Sequence, residues 1–219
     1  MNPFLSWCCK IILGPLVKGL FIKEVRGKEN IPKRNFILAA NHQSYLDIIF
    51  SAYLCVPRKF HFIGQIEGFR APHKWFISAL YFISGVIPLD RKDKHSRKKV
   101  ADKAIEVLNR GSILTLYPEG KRSANGLIQE GKLGTARFFL KTGAPILPVG
   151  IKGTFELMPP GGKLRIKKIV ELNVGKPLFF EKELARSRGI DEYSPEYKEL
   201  LEKITRKMMI EISNLCQAI

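Results

Sequence analysis

Cysteine is scarce in this sequence, and its spacing excludes two kinds of stabilised domain. The cysteines are Cys8, Cys9, Cys55 and Cys216, and no two of them form a C-x-x-C pair. This spacing provides neither a disulfide framework nor a zinc site. We therefore expect reduced thiols, as in a cytosolic protein, and no metal.

The sequence also lacks internal repeats and linkers rich in Pro, Gly or Ser. Its 219 residues are 45% hydrophobic and 26% charged, which is ordinary globular usage. A disordered chain, a collagen and a disulfide miniprotein are thereby excluded. The length allows one large domain or two small ones, and a single domain of this size buries a sizeable core.

Acidic residues are few compared with basic ones. Lys and Arg number 37 and Asp and Glu 20, so the formal net charge is +17. The positive electrostatic field of such a charge favours anionic partners: nucleic acid, anionic lipid or phosphorylated metabolites. The basic residues are spread along the chain without a reading helix or RNP motif, which disfavours nucleic acid. A solvated basic surface without function is the plainer interpretation.

Residues 3–22 are almost wholly apolar, yet Lys10, Pro15 and Lys18 interrupt them. On a helix, one face would carry a narrow polar or small stripe of Ser6, Lys10, Gly14 and Lys18. This pattern favours an amphipathic helix at a membrane interface, over residues 1–23. The alternatives are a helix packed on the protein's own core and a membrane span. A secretory signal is disfavoured because no basic region precedes the apolar run and no A-x-A site follows it.

In residues 24–219, strand and helix signals alternate, which predicts a single α/β domain. Apolar runs predict strands at Phe36–Ala40, Lys59–Ile66, Gly85–Leu89, Ser112–Tyr117 and Pro145–Ile151. Helical spacing predicts helices at Ser44–Cys55, Pro72–Ser84, Lys92–Arg110 and Lys132–Lys141. A last helix starts with Ser194 as N-cap and Pro195 in its first turn, and its apolar stripe favours core packing over partner binding. Residues 165–174 alternate apolar and basic side chains.

The segment Asn41–Asp47 lies where a predicted buried strand gives way to a helix. In α/β folds this turn lies at the carboxyl edge of the sheet, where ligands bind. Asp47, accepting from one imidazole nitrogen of His42, would leave the other nitrogen free as a general base. The alternative is a capping His and a surface Asp.

Two further strand ends carry cations. Tyr117–Ser123 has the makings of a phosphate pocket, in which Arg122 binds as a bidentate fork and Lys121 as a point charge. Glu119 would accept from a substrate hydroxyl; a polar hairpin turn is the alternative. Gly85–Arg91 places an Arg at another edge, where a surface salt bridge with Asp90 is the alternative.

Residues 126–132 match the start of a P-loop. However, Leu133 stands where a Ser or Thr must hold magnesium, and no strand leads into the segment. Nucleotide hydrolysis is therefore not expected.

In order and spacing, these segments resemble the PlsC-like glycerolipid acyltransferases, the 1-acylglycerol-3-phosphate acyltransferase family. The family's His-x4-Asp motif is matched by His42 and Asp47, and its second motif, an apolar strand ending in Arg, by Gly85–Arg91. Its third, Phe-Pro-Glu-Gly-Thr-Arg-Ser, is matched by Tyr117–Ser123, and its fourth, an apolar strand with a Pro, by Ala144–Val149. The resemblance covers roughly residues 25–180, and four weak motifs in the right order make it specific. It implies a single domain with a central mixed sheet flanked by helices.

The resemblance implies that His42 takes a proton from a glycerol hydroxyl, which attacks an acyl thioester directly, while Asp47 orients the imidazole. It also implies that Arg91 and Arg122 hold the acceptor's phosphate and that Glu119 positions the glycerol. The substrate-binding residues implied in this way are Arg91, Glu119, Gly120, Lys121, Arg122 and Ser123. The chain departs from the family in having Lys121 for Thr, Tyr117 for Phe, and Gln65 where a Lys often stands.

The expected reaction is acylation of the sn-2 hydroxyl of 1-acylglycerol-3-phosphate to phosphatidic acid. The expected partners are acyl-CoA or acyl carrier protein as donor, a lysophospholipid acceptor and an anionic membrane surface, with no cofactor. The expected location is the cytoplasmic face of the cell membrane. The alternatives are the same transfer to another lysophospholipid or an amino-acid lipid, and a non-catalytic binding module for anionic lipid or nucleic acid.

Overall fold

The computed structural model describes residues 3–65, 85–90 and 92–217. The predicted helix Pro72–Ser84 and the predicted site residue Arg91 lie outside these residues. The strands are β1 Ile22–Arg26, β2 Ile37–Ala40, β3 Phe60–Gln65, β4 Val86–Leu89, β5 Ile113–Leu116, β6 Ile146–Lys152 and β7 Val170–Val174. The helices are α1 Pro3–Cys8, α2 Gly14–Leu20, α3 Asp47–Cys55, α4 Lys94–Asn109, α5 Gly134–Thr142, α6 Thr154–Leu157, α7 Glu181–Ser187 and α8 Pro195–Gln217.

The described strands form one sheet in the order β1-β7-β6-β2-β5-β3-β4. The five strands from β6 to β4 are parallel, whereas β7 runs antiparallel to β6 and β1 runs parallel to β7. The predicted single α/β domain with a mixed sheet is therefore confirmed. Because β1 and β7 are reversed, they begin at the edge where the other five strands end.

Helices cover both faces of the sheet, which explains why the central strands are continuous apolar runs. Alternate side chains of β2 enter opposite cores: Ile37 and Ala39 pack on one face, and Leu38 and Ala40 on the other. The first face is covered by α4, α5, α7 and α8, and the second includes the buried side of α3. The predicted buried stripe of α8 is confirmed, and Ser194 Oγ accepts from the Tyr197 N–H at 3.1 Å as the predicted N-cap.

The N-terminal segment is helical, with a π-helical stretch at Cys9–Leu13 between α1 and α2. It runs along α3 in the opposite direction: Ser6 Oγ donates to Arg58 O at 3.3 Å, and the Phe21 ring meets Phe50 edge-on at 6.4 Å. Its outward side chains remain exposed, namely Trp7, Ile11, Ile12, Leu13, Leu16 and Leu20. Packing of this apolar face on the protein's own core is therefore not observed. Within residues 3–65, 85–90 and 92–217, no helix is both long and apolar enough to cross a membrane.

The sequence did not predict β1, whose first two residues fall inside the expected N-terminal segment 1–23. Three of the five residues of β1 are charged, namely Lys23, Glu24 and Arg26, so the sequence shows no apolar strand pattern there. Charged side chains are usual on a strand at the sheet edge, because they discourage pairing with another chain. The predicted helix Ser44–Cys55 begins only at Asp47. The preceding residues form a turn around the Asp47 carboxylate instead.

Helix α8 approaches the sheet at Gly150, and this close approach gives a test of the packing. A Cβ at Gly150 would lie 2.7 Å from the carbonyl carbon of Leu215. We expect Gly150→Ala to lower the free energy of unfolding by about 1–3 kcal/mol, because α8 must shift outward. The measurement is urea denaturation. Gly134→Ala is the matched control, because no described heavy atom lies within 4 Å of that Cβ position, and it should not destabilise the protein. Equal midpoints for wild type and Gly150→Ala would contradict this packing.

Candidate active site

His42 and Asp47 meet in the turn between β2 and α3, at the carboxyl edge of the parallel strands. His42 Nδ1 lies 2.8 Å from Asp47 Oδ2. With the proton on Nδ1, the imidazole donates to the carboxylate and keeps a lone pair on Nε2. The contact predicted from the His-x4-Asp spacing is present, and Asp47 is fully buried rather than a surface residue.

One oxygen of Asp47 organises the whole turn. Besides His42, Oδ2 accepts from the backbone N–H of Gln43 at 2.7 Å and of Ser44 at 2.8 Å. The other oxygen, Oδ1, is buried without a hydrogen-bond partner among the described residues. A buried carboxylate with spare acceptor capacity favours a positive charge beside it. The arrangement places the Asp47 carboxylate directly beside the His42 ring.

The Tyr117 ring fixes the plane of the imidazole. It stacks on His42 with a centroid distance of 4.0 Å and an interplanar angle of 13°. Its hydroxyl lies 3.1 Å from Ser51 Oγ, and burial raises the Tyr117 pKa well above its ordinary value, so the phenol stays neutral. The sequence pointed to Tyr117 only as a mild replacement of Phe. Its contact with His42 forms because β2 and β5, which are far apart in the sequence, are neighbours in the sheet.

Glu119 joins the third motif to the first. Its side chain is buried, and Oε1 accepts from the His42 backbone N–H at 2.8 Å while Oε2 accepts from the Gln129 N–H at 3.0 Å. The His42 carbonyl in turn accepts from the Ser123 N–H at 2.8 Å. Burial raises the Glu119 pKa to about 6. Both carboxylate oxygens thus accept from backbone N–H groups. The observed contacts of Glu119 fix the His42 turn, whereas the sequence analysis expected this side chain to accept from a substrate hydroxyl.

The cations of the third motif lie outside these buried contacts. Arg122 stacks over the exposed Tyr45 ring, its Cζ 3.7 Å from the centroid, while Lys121 is exposed. Gly120 adopts a left-handed conformation with φ 69°, and a Cβ there would lie 3.0 Å from Lys132 Nζ. Lys132 is therefore a further cation at this turn. The sequence analysis placed it in the P-loop-like stretch 126–132 and at the start of the predicted helix Lys132–Lys141. The stretch is irregular in the structure and follows no strand, and the helix begins only at Gly134.

Two polar side chains that the sequence analysis did not single out support the turn. Asn41 is buried and bridges to β6: its Nδ2 donates to Ile151 O at 2.8 Å, and its Oδ1 accepts from Ile151 N at 2.7 Å. Ser44 Oγ donates to Met158 O at 2.7 Å. For Asn41, the signal was a polar residue immediately after the fully apolar strand β2.

Comparison with known proteins places this geometry in a family. The acyltransferase family model matches residues 23–152. The chain is 32% identical over 143 residues to the chloroplastic 1-acyl-sn-glycerol-3-phosphate acyltransferase BAT2 of Brassica napus, covering 64% of this chain and 40% of that protein. It is 28% identical over 181 residues to the 1-acyl-sn-glycerol-3-phosphate acyltransferase of Bacillus subtilis, covering 81% and 82%. The chain spans less than half the length of the chloroplastic relative.

A solved structure extends the likeness to the fold. The 1-acyl-sn-glycerophosphate (LPA) acyltransferase PlsC of Thermotoga maritima superposes with a TM-score of 0.63 at 28% identity, covering 91% of this chain and 76% of that one. The family match includes β2, the His42–Asp47 turn, β5 and the Tyr117–Ser123 turn, and it spans more than half of the 219 residues. The chain therefore belongs to the acyltransferase family.

Proposed function

We propose that the protein transfers an acyl group from an acyl thioester to the free hydroxyl of 1-acylglycerol-3-phosphate, giving phosphatidic acid. The observation that carries this proposal is the His42–Asp47 pair, held at the carboxyl edge of the sheet by Tyr117 and Glu119. The names of the relatives support the choice of acceptor. A binding module has no need of an imidazole oriented in this way.

The proposed reaction needs no acyl-enzyme. His42 Nε2 takes the proton of the acceptor hydroxyl as its oxygen attacks the thioester carbonyl, and the Asp47 carboxylate stabilises the resulting imidazolium. The new C–O bond forms, the C–S bond breaks, and the imidazolium returns its proton to the leaving thiolate. Acyl-CoA and acyl carrier protein both supply such a thioester.

The proposed phosphate site includes the cations Lys121 and Arg122 at the rim of the turn. The planar guanidinium of Arg122 can donate two parallel hydrogen bonds to a phosphate, and its stacking on the Tyr45 ring holds it in one orientation. Lys121 and Arg91 complete the proposed set. In this proposal Glu119 acts indirectly, because it holds the backbone of His42.

The proposed location is a membrane surface, contacted by the exposed apolar face of α1 and α2. This segment ends at Leu20, two residues before the start of β1, and β1 starts at the same sheet edge as the His42 turn. A lipid acceptor entering from the interface would thus arrive beside the proposed base.

Substitution of the base tests the reaction. We expect His42→Ala and Asp47→Asn to lower turnover by about 10²–10⁴-fold, because the proton acceptor or its orienting partner is lost. The measurement is thiol release from a long-chain acyl-CoA in detergent, with 1-acylglycerol-3-phosphate as acceptor. The exposed His95 provides the matched control, and His95→Ala should keep wild-type turnover.

Turnover of His42→Ala within a few-fold of wild type would contradict the proposed base. If wild type itself releases no thiol, the panel extends to acyl carrier protein as donor and to other lysophospholipids as acceptors. Failure of the whole panel would favour the non-catalytic binding module.

The phosphate site predicts a selective change in KM. Arg122→Gln should raise KM for the acceptor at least tenfold and leave KM for the donor within about twofold, since a charge-assisted bond to phosphate contributes about 1.5–3 kcal/mol. Tyr45→Leu should raise the acceptor KM by a smaller factor, whereas Tyr45→Phe keeps the ring and should resemble wild type. Steady-state kinetics with each substrate varied makes the test. An equal rise in both KM values would exclude the phosphate role.

The Glu119 carboxyl predicts a pH-dependent stability. Its pKa is raised to about 6 in the folded protein, so the folded state binds this proton more tightly than the unfolded state does. Stability contributed by this proton is present at low pH and is lost as pH rises through about 6. Relative to Glu119→Gln, the free energy of unfolding of wild type should therefore fall by about 2 kcal/mol between roughly pH 4.5 and 6.5. Urea denaturation at several pH values measures the difference, and a difference independent of pH would refute the assignment.

A further inference from the structure

The loop at residues 158–169, between α6 and β7, has an unusual surface. From residue 160 to residue 168 every residue is exposed. Within this stretch, Leu164 and Ile166 are 50% and 66% exposed. They alternate with the cations Lys163, Arg165, Lys167 and Lys168. Among the described residues, no carboxylate lies within 4.0 Å of these four cations. Exposed apolar side chains interleaved with cations suit an anionic lipid surface, which takes up both.

Both ends of this loop are attached to functional parts of the molecule. At its start, Met158 O accepts from Ser44 Oγ at 2.7 Å, within the turn that holds His42 and Asp47. At its end, the Val170 N–H donates to Phe21 O at 2.8 Å, directly after α2. The loop therefore bridges the candidate active site and the end of the N-terminal helical segment.

Other exposed apolar side chains extend the same surface. Ile48 and Ile49, in the first turn of α3, are 41% and 45% exposed beside the His42 turn. Leu20 is exposed at the end of α2. Three separate segments thus present apolar side chains to solvent around one edge of the sheet. A soluble partner protein has no evident need of such a ring, whereas a lipid substrate must reach this edge.

We infer that the 158–169 loop is a second membrane-contact segment, which binds the headgroups of anionic lipids with its cations and inserts Leu164 and Ile166 into the interface. Together with the N-terminal segment, it holds the His42 edge against the bilayer. The inference rests on the proposed function only in taking the acceptor to be a membrane lipid. Binding to vesicles is measured without turnover, so the two proposals fail separately.

The charge test uses the full chain and vesicles of phosphatidylcholine with or without phosphatidylglycerol, at about 0.15 M salt to screen long-range fields. The variant combines Lys163→Gln, Arg165→Gln, Lys167→Gln and Lys168→Gln. Each cation near an anionic surface strengthens binding about fivefold. We therefore expect partition onto anionic vesicles to fall at least tenfold, with little change on phosphatidylcholine alone.

The matched control removes the same charge from the opposite edge of the sheet. It combines Lys33→Gln, Arg34→Gln, Lys59→Gln and Lys176→Gln, all at exposed positions just before β2 and β3 or after β7. Its partition should stay within about twofold of wild type. An equal loss in both variants would attribute the effect to net charge and would overturn the proposal.

The apolar test substitutes Leu164→Ser and Ile166→Ser together. Partition onto both kinds of vesicle should fall severalfold, because the apolar contact does not depend on lipid charge. Thiol release in detergent should stay within about twofold of wild type for both loop variants, which shows that they fold. Unchanged vesicle binding of the loop variants would refute the proposal. If it came with a raised KM for acyl carrier protein, the loop would instead be a protein-docking surface.

Discussion

The candidate site depends on the burial of the Asp47 carboxylate. Its Oδ2 accepts from two backbone N–H groups and lies 2.8 Å from His42 Nδ1. Taking a carboxylate out of water is costly unless such donors compensate it. The turn between β2 and α3 therefore has to close around this oxygen, and closing it fixes the position of His42. This requirement also delays the start of α3 to Asp47, because the N–H groups of Gln43 and Ser44 point to the carboxylate.

A second buried carboxylate tightens the same turn from the other side. Glu119 accepts from the His42 N–H, and the His42 carbonyl accepts from Ser123, so both backbone polar groups of His42 are tied to the loop after β5. Burial is the largest cause of the raised Glu119 pKa, and the charge of Asp47 adds to it. The protein thus holds two acidic groups near one imidazole, and only one of them contacts the ring. Asp47 favours the tautomer with the proton on Nδ1, and Glu119 fixes the backbone of His42.

The features that the sequence predicted correctly are local. Apolar runs revealed the buried strands, 3.6-residue spacing revealed α4, α5 and α8, and the separation of His42 from Asp47 revealed their contact. What it missed depends on the tertiary fold. The stacking of Tyr117 on His42 joins β5 to the end of β2, and the Asn41 bridge joins β2 to β6; neither leaves a mark in the spacing of residues. Strand β1 was hidden because its charged side chains lie at a sheet edge, where a strand needs no apolar alternation.

The reversed direction of β1 and β7 brings two further segments of the chain to the sheet edge that carries the site. In a fully parallel sheet, a segment leading into a strand lies at the amino edge, away from the ligands. Here the N-terminal helices lead into β1 and the 158–169 loop leads into β7, and both strands start at the carboxyl edge. Two segments with exposed apolar side chains thereby come to the edge where His42 lies. The topology alone brings the proposed membrane contacts and the proposed base together. In the proposed reaction, a lipid acceptor therefore need not leave the interface to reach the imidazole.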